Sequence, residues 1–168
     1  MKLRQPSWLR PFPSGLVVAT ATLGPLGSRL PAPGTWGSAA GLLWFLVVFA
    51  RLPALWFIPL CLLSLYLAVA FCGEAELRLG QSDPGKIVLD EVVAIPLCFL
   101  HWQVLLQAMP HWMVLLAGFA LFRLFDILKP LGIARLQRIP GGWGVVADDA
   151  AAALATCLSL HLIAWIVR

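Results

Sequence analysis

The sequence predicts an all-α membrane protein, a polytopic bundle of about four to five membrane helices behind an irregular Gly/Pro-rich N-terminal segment. Of 168 residues, 61% are apolar and only 12% charged, and mean hydropathy is +0.89. Apolar runs of spanning length recur along the chain, and the charges collect in the breaks between them. A soluble domain has too few polar residues here to cover such runs, so the bilayer is the solvent.

Residues 1–37 read as a cytoplasmic or interfacial segment and residues 38–168 as the membrane-embedded unit. Lys2, Arg4 and Arg10 lead into Pro11-Phe12-Pro13 with no adjacent apolar core of signal-peptide form, which predicts a retained tail lying on anionic lipid. Residues 11–37 are rich in Gly and Pro, and Leu16 to Leu23 is too short to cross. A first helix is expected from Ser38 to Ala50, short enough to be either a crossing or a re-entrant segment. Arg51-Leu52-Pro53 ends it, and Ala54 to Cys72 gives a second helix. After a polar loop from Gly73 to Lys86, a third helix is expected over Ile87 to Gln107, ending at Met109-Pro110. His111 to Leu128 forms a fourth, stopped before Pro130, and a basic, Gly-rich loop then leads to a fifth from near Asp148 to Val167.

Charge orients this arrangement. Lys2, Arg4, Arg10, Arg29, Arg78, Lys86, Lys129, Arg135 and Arg138 fall on one side, and only Arg51 and Arg168 on the other, so the first side is cytoplasmic. The net charge of +4 is spread along the chain instead of forming a stripe with exposed aromatics, which argues against nucleic acid as a partner. The four cysteines sit in or beside apolar runs without metal-ligand spacing. Cys72 and Arg78 have the C-x5-R spacing of a phosphate-cradling loop, but Glu74 and Glu76 would place two negative charges inside it.

The eight acids carry the functional signal. Glu74, Glu76, Asp83, Asp90, Glu91, Asp126, Asp148 and Asp149 all lie near the predicted cytoplasmic face, with carboxylates at three helix ends at one depth. A carboxylate in a bilayer costs on the order of 3 kcal/mol unless it is paired, metal-bound or facing water. Taken singly, Asp148 or Asp149 suits an N-cap, Asp126 with Arg123 or Lys129 a structural ion pair, and Asp83-Pro84-Gly85 a turn. Taken together, they predict a hard divalent cation, Mg2+, that relieves their repulsion. Asp83, Asp90, Glu91, Asp126, Asp148 and Asp149 are its candidate ligands. The Gly-rich turn Pro33-Gly34-Thr35-Trp36-Gly37-Ser38 offers amides and the Thr35 and Ser38 hydroxyls to a phosphate. His101, His111 and His161 share no metal-ligand spacing and read as packing residues.

Three stretches resemble the bacterial phosphatidylglycerophosphatase A family. They are Ala32-Pro33-Gly34-Thr35-Trp36-Gly37-Ser38, Asp83-Pro84-Gly85-Lys86-Ile87-Val88-Leu89-Asp90-Glu91, and Phe122-Arg123-Leu124-Phe125-Asp126-Ile127-Leu128-Lys129-Pro130, followed by Gly141-Gly142-Trp143-Gly144 and Asp148-Asp149. The resemblance implies an integral enzyme of the bacterial inner membrane, with its active site on the cytoplasmic side. It would remove the terminal phosphate of phosphatidylglycerophosphate with Mg2+, leaving phosphatidylglycerol. Gly132 and Gln137 depart from the family pattern, and Gln137 argues against a metal ligand from that loop.

On this reading Asp90, Glu91, Asp126 and Asp149 carry the catalysis, and Arg123, Lys129 and Arg135 neutralise the phosphate, with Lys86, Thr35 and Ser38 as lesser contacts. Direct water attack and an aspartyl-phosphate intermediate both suit these residue types. Three other functions compete: a small cation transporter, a non-catalytic membrane subunit, and a phosphatase for another lipid phosphate such as phosphatidic acid. A transporter would need acids in the opposite half of the bilayer, and none is there. Gly118 and the Ala-rich stretch from Ala147 to Ala155 suit close helix approach within one chain or between two, so the sequence leaves oligomeric state open.

Overall fold

The computed structural model describes residues 4–130 and 132–168, so Lys2 of the predicted tail lies outside the described residues. Among these residues every regular element is a helix. The helices are α1 (Ser14–Ala21), α2 (Pro25–Arg29), α3 (Pro33–Trp44, continued by a π-helical turn over Phe45–Phe49), α4 (Ala54–Leu79), α5 (Leu89–Cys98), α6 (Trp102–Leu105), α7 (His111–Leu128) and α8 (Gly142–Val167). A 3₁₀ segment, Ile133–Arg138, precedes α8. Helices α4, α7 and α8 are long and apolar enough to cross a membrane, and the continuous Pro33–Phe49 helix is shorter. Membrane-embedded α-helical architecture is what the composition predicted.

Several boundaries differ from the sequence expectation, each for a local reason. The N-terminal segment carries α1 and α2 instead of being irregular throughout, and α3 starts at Pro33, so the expected boundary at residue 38 falls inside a helix. Proline at the first helical position is already set for the helix, which moves the start forward. Helix α4 runs two turns past Cys72 because Glu74 and Arg78 pair at i,i+4, at 2.9 Å, before Gly80 caps it in the left-handed region. The expected third helix is broken. Pro96 supplies no amide to the helix, α5 unwinds at Phe99, and His101 takes a positive φ of 53° before the short α6. Helix α8 begins at Gly142, so Asp148 and Asp149 lie in its second turn and are not N-caps.

The tail packs on the bundle: Leu9 is buried with Val17, Val69 and Val145 in a core at one end of it. Arg78 donates to the carbonyls of Phe12 at 2.8 Å and Leu9 at 3.0 Å. The side chain of Gln5 bridges two helices, donating to Val69 O at 2.9 Å and accepting from the Gly142 amide at 3.0 Å. Helix α8 has no cap from its own N-cap residue, so Gln5 supplies one from the far end of the chain. The main core lies deeper and is aromatic, with Phe45, Phe99 and Trp102 in contact.

Candidate active site

Helices α3, α5 and α8 begin, and α4 and α7 end, at the same end of the bundle, so the acids meet there. Arg123, near the end of α7, is the hub. Its Nη1 donates to Asp126 Oδ2 at 2.7 Å, to Glu91 Oε1 at 2.9 Å and to Ser38 Oγ at 3.3 Å. One guanidinium thereby ties α3, α5 and α7 together. Ser38 donates in turn to the Gly34 carbonyl at 2.9 Å. Lys129, held at φ 44° just past α7, pairs with Asp148 Oδ2 and ties α7 to α8. Burial alone would lower the Lys129 pKa, but the hydrogen bond that it donates to Asp148 and the fields of Asp148, Asp126 and Asp149 outweigh it and raise the value above that of an ordinary lysine.

Close approach of α3 depends on missing side chains. A Cβ at Gly34 would run into Glu91 Oε1, and one at Gly37 into Glu91 Oε2. The Gly-Thr-Trp-Gly stretch thus serves as a packing surface for Glu91, in the first turns of a helix and not in a turn before it. Thr35 and Arg135 are both exposed; among the described residues Thr35 makes no side-chain hydrogen bond, and Arg135, on the 3₁₀ segment, forms no ion pair. Lys86 faces the pocket formed by α1 and α2. Asp83 is exposed; its amide donates to Glu76 Oε1 at 2.5 Å and its carboxylate accepts from Gln137 at 3.0 Å. Gln137 therefore donates to an acid where an acid in its own place would repel it.

Asp90, Glu91, Asp148 and Asp149 are each less than a tenth exposed. Asp149 lies within electrostatic reach of Asp90, Asp126, Glu91 and Asp148. Among the described residues neither Asp90 nor Asp149 has a basic partner, and Asp90 Oδ1 and Glu91 Oε2 are buried without any hydrogen bond. Such orphaned oxygens are costly and suit a hard cation. As they stand, no three acid, histidine or cysteine side chains among the described residues converge closely enough to hold one ion. Arg123 and Lys129 engage Glu91, Asp126 and Asp148 instead. The donor set fits Mg2+ by chemistry and by its unpartnered oxygens, and loading it would require these carboxylates to share themselves between cation and ion.

Other candidates fall away from this cluster. Cys72 is buried within α4 and Arg78 is committed to Glu74 and the tail carbonyls, so the C-x5-R spacing forms no phosphate loop. His111 packs edge-on against Trp102, and His161 lies on the second half of α8 with Nδ1 2.9 Å from the Cys157 carbonyl.

The sequence model described as phosphatidylglycerophosphatase A matches residues 19–164. The chain belongs to that family. A phosphatidylglycerophosphatase A from Haemophilus influenzae is 37% identical over 127 residues, 74% of each chain. One from Escherichia coli K12 is 33% identical over 135 residues, 78% of this chain and 73% of the relative. A Bacteroides thetaiotaomicron protein provisionally named a phosphatidylinositol-3-phosphatase is 35% identical over 147 residues, 81% of this chain and 86% of the relative. No solved structure matches the chain. Family membership makes it a phosphatase, embedded in a membrane by its apolar helices. The family match begins after the tail, so Gln5, Leu9 and Phe12 are contributions of this chain from outside the matched region. Sequence reasoning missed Gln5 because a lone polar residue in a basic tail carries no periodic signal. It also passed over Gly34 and Gly37 as packing residues, although glycines three apart on a helix were the available sign.

Proposed function

We propose that this protein hydrolyses phosphatidylglycerophosphate to phosphatidylglycerol and inorganic phosphate in phospholipid biosynthesis, with Mg2+ as cofactor. The observation that carries the proposal is the buried carboxylate cluster with two orphaned oxygens, set beside Arg123 and Lys129 at one end of a membrane bundle. The relatives named for this activity support the substrate.

Asp90 and Asp149, with Glu91, Asp126 and Asp148, would hold the ion, and Asp83 stands beside them on its loop. When bound, Mg2+ supplies charge to polarise the phosphoryl group and to acidify a water ligand. Arg123 and Lys129 bring two cations to the same place. By sharing their donors with the transferring phosphate they would stabilise charge that grows on its oxygens. Asp126 and Ser38 keep the Arg123 guanidinium aimed, and the surrounding helices exclude bulk water from Asp90 and Asp149. The acid end also carries most of the basic residues, so the positive-inside bias supports a cytoplasmic site in a bacterial inner membrane.

The Bacteroides relative favours a second reading, another lipid phosphomonoester as substrate. One experiment addresses both: inorganic phosphate release by the purified protein in detergent, from phosphatidylglycerophosphate, phosphatidic acid and phosphatidylinositol 3-phosphate, with Mg2+ or with chelator. Chelator-sensitive release that is fastest from phosphatidylglycerophosphate is the expected result. Equal release with and without chelator would reject the metal, and a different preferred lipid would move the substrate.

A further inference from the structure

Lys86 was expected at the phosphate, yet the fold turns it elsewhere. With Arg29 it lines a concavity of about 460 Å³ bounded by α1, α2 and the strand of chain leading into α5. Among the described residues, nothing acidic lines this pocket. Among the described residues neither Arg29 nor Lys86 forms an ion pair, whereas Arg78, Arg123 and Lys129 at the same end are each engaged by a carboxylate. The two cations come from different elements, and the backbone fixes both. The Gly27 amide donates to Thr22 O at 2.9 Å, and the Val88 amide donates to Ala21 O at 3.0 Å, pinning the start of α5 to the end of α1. Gly27 lies so close to the Lys86 carbonyl that a Cβ there would overlap it. Ser28 and Thr22 add hydroxyls to the lining.

The pocket is also tied to the acid cluster from both sides. Lys86 is four residues before Asp90, at most ~14 Å of extended chain. Arg29 is five residues before Gly34, which packs on Glu91 and Arg123. Short segments of chain thus lead from this cationic concavity to the residues of the acid cluster.

We propose that this pocket is the subsite for the second, phosphodiester phosphate of a two-phosphate lipid, with Arg29 and Lys86 as its cations. The inference rests on the substrate proposed above. Phosphatidylglycerophosphate carries a monoester and, across a glycerol, a diester; phosphatidic acid carries the monoester alone. The acid cluster by itself meets the same group in both, so discrimination needs a second anion contact, and this pocket provides it.

The test compares the full-length protein with Arg29→Gln and Lys86→Gln, assaying phosphate release from both lipids in mixed micelles. Circular dichroism and size-exclusion profiles serve as controls for folding. The wild type is expected to prefer phosphatidylglycerophosphate. Arg29→Gln should raise KM for that lipid about tenfold with kcat retained, the loss of one contact to a charged group, and leave phosphatidic acid kinetics within about twofold. Lys86→Gln should move the same ratio in the same direction. A wild type that prefers phosphatidylglycerophosphate together with folded variants of unchanged lipid ratio overturns the subsite and leaves the function standing. A wild type that releases phosphate from neither lipid overturns the function, and that result is visible before any variant is made.

Discussion

Glu91 and Asp126 share Arg123, whereas Asp90 and Asp149 have no basic partner among the described residues. Asp90 and Glu91 are neighbours in one helical turn, so burial and local sequence do not explain the difference. Position around the helices does. Glu91 faces α3 and α7, where Gly34 and Gly37 make room and a guanidinium waits, while Asp90 and Asp149 repel each other across the α5–α8 contact with further acids around them. Paired acids hold the bundle together. Unpaired ones repel, and a fold retains such a feature where an ion or a substrate completes it.

The largest effect expected from this contrast falls on the unpaired side. Asp90→Asn should lower kcat by at least about 10³-fold, roughly 4 kcal/mol of transition-state stabilisation. Without Mg2+ it should also melt at or above the wild-type temperature, because one of two repelling charges is gone. Phosphate-release kinetics and a thermal melt in chelator check both parts, and an active Asp90→Asn protein would take this residue out of the site. On the paired side the order reverses. Arg123→Ala leaves Glu91 and Asp126 without their cation and should destabilise the fold by ~3 kcal/mol, read as a lower melting temperature, as well as reducing turnover. A melt unchanged from wild type would show that the pair is not holding α3, α5 and α7 together.

A smaller change sharpens the comparison by touching only the space that pairing needs. Gly37→Ala drives a methyl into Glu91 Oε2, and overpacking of this kind costs ~1–3 kcal/mol. It should loosen α3 while leaving Asp90 and Asp149 in place, so stability should fall further than catalysis; a larger loss in kcat than in melting temperature would show that α3 carries more than packing. The smallest effect is expected at Gln5→Ala, which removes hydrogen bonds to Val69 O and from the Gly142 amide. About 1 kcal/mol per bond is the scale, and hydrogen exchange at the first turn of α8 would report it locally.

Much of this was legible along the chain. The bilayer as solvent, the helices from His111 to Leu128 and from Ala54 onward, and the gathering of acids at helix ends all follow from patterns of hydropathy and charge. Other features were not. The break near His101 needed the combined effect of Pro96 and a left-handed residue, and the first turn of α8 was hidden because Gly142 to Ala147 looks like loop and helix alike. Lys86 and Lys129 look equivalent in sequence, each basic and each beside an acid-bearing helix, yet one meets Asp148 and the other meets Arg29 in a pocket of its own.

Sequence by itself determined the solvent, the family and the inventory of charged groups, because each is a property of composition or local order. Only the tertiary structure decided which acid faces a cation and which is left unpaired, which glycines are contact surfaces, and that a glutamine near the start of the chain caps its last helix. Those outcomes depend on rotation about helix axes and on contacts between residues far apart in the chain, and no one-dimensional period encodes either.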